Sequence, residues 1–173
     1  MKNSLQPGLS HELRYVVPPG KTVPGLYPEA PEFLVMPEVL ATGFLVGLLE
    51  WACVRVIAPH LDDGEQSLGT SIDASHSAAT PPGLTVTVQA RLTEVHGRRL
   101  LFEVEAHDGI DQVSRGRHER VVIDRARFDA KVDAKRAGAA HEAAAGPTAD
   151  ERRRFVRIGL NAPDLDPKTF LDG

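Results

Sequence analysis

Residues 41 to 58, ATGFLVGLLEWACVRVIA, constrain the fold of this chain more than any other stretch. They are free of proline and apolar on most sides, the pattern of a helix wrapped by other elements. Pro59 stops the helix and LDDGE turns the chain. Gly43 and Gly47 fall four apart on one helix face; because glycine costs helix stability, they are expected where another backbone comes close. The most apolar part, Val39 to Leu49, is too short to span a bilayer before Glu50 and Arg55 follow.

From Ser67 onward the pattern changes to period two. Ile72, Ala74, His76 and Ala78 alternate with Ser71, Asp73, Ser75 and Ser77. Val86, Val88, Ala90 and Leu92 continue the alternation, as do Leu100, Phe102, Val104 and Ala106. On the last strand Gly116, His118, Arg120 and Val122 share one face. Turns at Pro81–Gly83, His96–Gly97 and His107–Gly109 separate these runs, which read as an antiparallel meander of four strands. HELRYVV at 11–17 adds a first strand. One strand, one buried helix and such a sheet predict an α+β hot-dog fold, an antiparallel sheet wrapped around a long central helix.

Residues 18 to 37 hold six prolines together with Leu26, Tyr27, Phe33, Leu34, Val35 and Met36. Proline excludes a regular helix or central strand there, while the apolar side chains argue for a loop packed over something, such as a lid. After the last strand a helix is expected from about 124 to 136, then an Ala/Gly linker at 137–147. The organisation expected is a domain over 1–137 and an extension over 138–173, flexible or carrying a short docked helix near 149–158.

A chain of 173 residues suits one domain with a real core. Its net charge of −4 comes from interspersed charges of both signs, giving no reason to expect nucleic acid or an anionic membrane as partner. Cys53 is the one cysteine, so no internal disulfide forms, and MKNSLQPGLSHELRYVV lacks the apolar core of a signal peptide. A cytoplasmic protein is expected. No glycine-rich phosphate loop, no metal spacing of Cys and His and no Gly-x-Ser-x-Gly elbow is present, so neither metal nor cofactor is expected.

The chemistry then rests on a few side chains. His76 shares the sheet's apolar face, as either a core histidine satisfied by a neighbour or a general base or acid at a pocket wall. Glu50 is the lone acid in an apolar helix, either solvated and paired with Arg55 or tuned for catalysis by its surroundings. Thr42, at the helix start, is an N-cap, a hydroxyl that positions substrate or water, or both. The free N–H groups of Gly43 and Phe44 could hold the oxyanion of an attacked thioester carbonyl. Arg120, facing inward, needs a carboxylate such as Glu50 or Asp73, or a ligand; His118 reads as structural. Cys53 reads as a buried, inert thiol.

The stretches VVPP-x-KTV, LYPE-x-PEF, PEV-x-ATGF-x-VGL-x-EWACVR, SLGT and H-x-AATPPGLTVTV, at 16–23, 26–33, 37–55, 67–70 and 76–88, closely resemble the fluoroacetyl-CoA thioesterase family. HDG at 107–109 and HER at 118–120 extend a resemblance that covers about residues 11 to 135. It implies a homodimer of hot-dog subunits with the active site near their interface. It also implies hydrolysis of fluoroacetyl-CoA, an acyl-CoA substrate, with discrimination against acetyl-CoA and a role in fluoroacetate resistance. The family's catalytic threonine, glutamate and histidine fall on Thr42, Glu50 and His76, and its acyl-proximal glycine and arginine on Gly69 and Arg120. Its aromatic lid is matched at Phe33 and departs at Met36, where phenylalanine is expected. A fluorine on the α carbon acidifies its protons, which makes His76 the base implied near that carbon; Glu50 is nucleophile or base for water.

Overall fold

The computed structural model describes residues 1–145. The expected short helix near 149–158 lies outside them. The chain divides after Ala126, and the unit Met1–Ala126 carries every strand and the long apolar helix. Its elements are β1 (Ser10–Val16), α1 (Pro31–Leu34), α2 (Thr42–Ile57), β2 (Glu65–Ala74), β3 (Thr85–His96), β4 (Arg99–His107) and β5 (Gln112–Asp124). α3, Arg125–Ala145, follows. It runs through the stretch expected to be an Ala/Gly linker, in keeping with alanine's high helix propensity.

The five strands form one antiparallel sheet in the order β1-β3-β4-β5-β2. This corrects the four-strand meander: β3, β4 and β5 are consecutive neighbours, but β2 crosses to the far edge and pairs with β5. The reason lies in the connection. Residues 75–84 between β2 and β3 contain Pro81 and Pro82 and are too long for a tight hairpin, whereas Gly97 and Gly109 take positive φ (57° and 90°) in the short turns that do make hairpins.

Alternation places Val86, Val88, Ala90, Leu92, Leu100, Phe102, Val104, Ala106 and Val122 on one buried face. Leu45, Leu48, Leu49, Ala52, Cys53, Val56 and Ile57 of α2 pack on it, each large side chain contributing about 1.5–3 kcal/mol on burial. Residues Thr42–His60 are long and apolar enough to cross a membrane by composition alone, yet this buried stripe is what fills the sheet's concave side. The helix is not wrapped all round. Gly43, Gly47, Trp51 and Arg55 are exposed, and Val46, Glu50 and Val54 are half-buried, so an opposite stripe of small and apolar residues stays open in the single chain.

The proline-rich segment packs as two 3₁₀ turns and α1. Its base is pinned beside α2 by Val23 N–H to Val39 O (3.0 Å), Ala41 N–H to Lys21 O (3.1 Å) and the Thr22–Leu40 bridge. Its tip exposes Tyr27, Leu34, Val35 and Met36.

Candidate active site

α2 begins at Thr42, with Ala41 in extended geometry as its N-cap and no side chain capping it. Thr42 therefore does not fill the N-cap role. Its Oγ1 instead lies 2.9 Å from His76 Nδ1. His76 stands just past β2, and its neighbours hold the backbone extended along β5: Ser75 N–H bonds Arg115 O (3.0 Å) and Ser77 N–H bonds Val113 O (2.9 Å). Burial pulls the His76 pKa below its usual 6.5, against a smaller opposing pull from the Ala78 backbone, so the ring is neutral at physiological pH. Its Nε2 is buried and has no hydrogen-bond partner among the described residues. The first helical bond is Leu45 N–H to Ala41 O, which leaves the N–H groups of Thr42, Gly43 and Phe44 outside the helical ladder beside this pair. Gly43 also makes room for the proline-rich segment: a Cβ there would sit 3.1 Å from Leu26 Cδ2.

Glu50 lies two turns further along. Eight residues of helix give about 12 Å of rise and roughly 80° of rotation, so it cannot touch Thr42 within the same chain. Its side chain is 43% exposed. Oε1 is 3.7 Å from His118 Nε2 and 3.6 Å from Arg120 Nη1, both too long for hydrogen bonds. Gly69 on β2 is what admits the carboxylate, because a Cβ there would lie 2.3 Å from Glu50 Oε1 and 3.0 Å from His118 Cε1. Gly69 is also where the β2–β5 register shifts, by one residue between Gly69 and Ser71.

Arg120 is buried and has found neutral acceptors. Nε donates to Ser67 Oγ (3.0 Å), Nη2 to Ser67 O (2.9 Å) and Nη1 to His118 Nε2 (3.0 Å). His118 Nδ1 lies 2.7 Å from Ser71 O. A carbonyl only accepts and a guanidinium only donates, so these two contacts define a neutral His118 with its proton on Nδ1. Burial holds its pKa below 6.5; Arg120 pushes the same way, while the Ser71 carbonyl, Glu50 and Glu119 oppose.

The structure thus joins Thr42 with His76, and Glu50 with Gly69 and Arg120, but keeps the two groups apart in one chain. Phe33 and Met36 lie in the proline-rich segment: Phe33 stacks on Tyr27 (5.9 Å between centroids, 27° between planes), and Met36 is exposed. Cys53 is inert, its thiol pushed up to about 12 by burial. His118, Ser67 and Ser71 were missed as site residues. The signal for His118 was there, since an inward arginine two residues away requires buried acceptors; nothing in the pattern singled out the two serines.

Residues 30–126 match the family model described as fluoroacetyl-CoA-specific thioesterase. A fluoroacetyl-CoA thioesterase of Streptantibioticus cattleyicolor is 58% identical over 135 residues, 78% of this chain and 97% of its own length. A solved structure of a fluoroacetyl-CoA thioesterase mutant in complex with fluoroacetate superimposes with a TM-score of 0.74 at 58% identity, over 76% of this chain and 98% of that one. A thioesterase superfamily member from Thermus thermophilus gives 0.73 at 29% identity, over 81% and 99% of the two chains.

Proposed function

The chain belongs to the fluoroacetyl-CoA-specific thioesterase family, and from that premise we propose that it hydrolyses fluoroacetyl-CoA to fluoroacetate and coenzyme A while discriminating against acetyl-CoA. The net step breaks the C–S bond, forms a C–O bond to an oxygen from water, and returns a proton to the departing thiolate. The observation that carries the reading is the Thr42–His76 hydrogen bond at the start of α2.

With Nδ1–H donated to Thr42, His76 Nε2 keeps its lone pair and takes the proton that fluorine has acidified at the α carbon. The Thr42 hydroxyl hydrogen and the N–H groups of Gly43 and Phe44 then receive the charge growing on the thioester oxygen. The enolate expels the coenzyme A thiolate, water or Glu50 adds to the carbonyl carbon of the ketene so formed, and His76 returns its proton to the α carbon. Arg120 and Gly69 face the acyl group from the Glu50 end. Glu50, bonded to neither neighbour, has lone pairs free to activate water or to attack the carbonyl. Phe33 and Met36 gate the acyl pocket.

The working unit we propose is a homodimer that brings the Thr42–His76 pair of one copy to the Glu50 end of the other. Three features support it: the separation of Thr42 from Glu50 along one helix, the open stripe of α2 in which Gly43 and Gly47 allow close approach, and the ten-residue β2 left as an open sheet edge. Coenzyme A thioesters do not cross membranes unaided, so the enzyme acts in the cytoplasm, removing an activated fluoroacyl group and so conferring resistance to fluoroacetate. Steady-state kinetics on the two thioesters tests the assignment. Much higher kcat/KM for fluoroacetyl-CoA is expected; equal values would make this a general short-chain acyl-CoA thioesterase.

A further inference from the structure

Arg120 is a buried cation whose carboxylate neighbour, Glu50, stands 3.6 Å from Nη1, beyond hydrogen-bonding distance. Of its five N–H donors, three are fixed by neutral acceptors: the hydroxyl and carbonyl of Ser67, and His118 Nε2. A carboxylate in any of those places would cancel the guanidinium's charge. Neutral acceptors fix its position and leave the charge facing Glu50, whose Oε1 is 3.6 Å from Nη1. Ser67 anchors the guanidinium from β2, and among the described residues only His118 accepts from Nη1, the nitrogen nearest Glu50.

We infer that His118 is a positioning residue: by accepting a hydrogen bond from Arg120 Nη1, with its own Nδ1–H given to Ser71 O, it sets the guanidinium against Glu50. The inference rests on the thioesterase reading. The ring also lies near Phe102 (6.5 Å between centroids), which by itself would suit a packing role. Packing needs only the ring's shape, whereas positioning needs the Nε2 lone pair, and that difference is measurable.

Protonation would place hydrogen on Nε2 and turn an acceptor for Arg120 into a competing donor. The charged and titratable groups facing the ring are Glu50 and, through Arg120, Cys53 from α2, and Glu119 and Arg120 from β5; β2 offers the Ser71 carbonyl and β4 the apolar Phe102. The holding geometry is therefore complete at neutral pH and lost on acidification below 6.5. His76 must also be neutral to act as base, so two ionisations shape the acid side of the kcat profile.

Two measurements decide. Long-range ¹H–¹⁵N spectra of the wild-type protein at neutral pH report the His118 tautomer, independent of activity: Nδ1–H supports the inference, while Nε2–H or imidazolium overturns it. Kinetics on fluoroacetyl-CoA then compares His118→Gln, which keeps an acceptor, with His118→Leu, which keeps bulk only. His118→Gln should stay within about tenfold of wild type, and a folded His118→Leu should lose up to about 10²-fold, mainly in kcat, as expected for a misplaced catalytic group. The His118→Gln profile should also show one acid ionisation fewer. Equal losses in both variants with an unchanged acid limb, or a folded His118→Leu with normal kcat, would reduce His118 to packing. If His118→Leu does not fold, the tautomer and the His118→Gln profile carry the test. A wild-type enzyme inactive on fluoroacetyl-CoA would sink the functional reading without touching the tautomer result.

Discussion

Thr42 and His76 touch directly, at 2.9 Å, whereas Glu50 stands more than 3.5 Å from both of its polar neighbours. The first pair is neutral, and His76 Nε2 is buried and without a partner among the described residues. The second group is ionic, with an anchored cation and a carboxylate that is half in solvent. The difference teaches how one helix divides its labour. In the proposed reaction its N-terminus supplies N–H groups and a hydroxyl for the charge that develops. Two turns on, packing against β5 supplies a permanent charge beside an acid free to move. In the proposed reaction neither end suffices alone; one chain holds them about 12 Å apart along the axis.

The comparison breaks most sharply if either end proves dispensable. His76→Ala and Glu50→Gln should each lower kcat by about 10²–10⁴-fold with the circular dichroism spectrum unchanged. A folded His76→Ala enzyme with near-normal kcat would make His76 a core histidine.

Two glycines sharpen the second half. A Cβ at Gly116 would lie 2.1 Å from Asp73 O and 2.4 Å from Ala74 Cα, which are backbone atoms that cannot yield. Gly116→Ala should therefore cost about 1–3 kcal/mol of stability by overpacking the β2–β5 ladder. A Cβ at Gly69 meets the end of the flexible Glu50 side chain and, at 3.0 Å, the edge of the anchored His118 ring, but no backbone. Gly69→Ala should cost less stability than Gly116→Ala and lower kcat by up to about 10²-fold through displacement of the carboxylate. If the two variants behave alike in melting and kinetics, Glu50 is not held as described.

Both histidines have folded pKa values below 6.5. Between those lowered values and 6.5 the unfolded chain binds more protons, so stability must fall as pH drops through that window. Denaturant unfolding from neutral pH downward should show this loss before the carboxylates titrate. Flat stability over the window would mean that neither imidazole is desolvated. The smallest effect on stability concerns Thr42. Were it the N-cap, Thr42→Ala would cost about 0.5–2 kcal/mol. With Ala41 in that place, the melting temperature should hardly move while kcat falls.

Much of this was legible from residue pattern. The period-two runs located the strands and the inward parity of His76, His118 and Arg120, and the proline-free apolar run located α2 to within a residue at each end. Strand order was not legible, because period two reports which face a residue takes and says nothing of which strand lies beside it; only the length of the 75–84 connection hinted at the crossover. The N-cap alternative for Thr42 failed for a similar reason. Capping depends on one residue's backbone angles, and threonine suits both positions. Ser67 and Ser71 act through a hydroxyl and two carbonyls, and a carbonyl leaves no trace in the residue pattern.

The claim that the two ends meet across a pair of subunits has a direct test. Thr42→Ala and Glu50→Gln variants, each nearly inactive alone, are mixed, dissociated and allowed to reassociate before assay on fluoroacetyl-CoA. If each site combines Thr42 of one copy with Glu50 of the other, every mixed dimer regains one intact site, and random pairing restores about a quarter of wild-type activity, since half the dimers are mixed and each holds one of two sites. If activity stays at the level of the separate variants although mixed dimers have formed, both ends serve a site within one chain and the shared-site account is wrong.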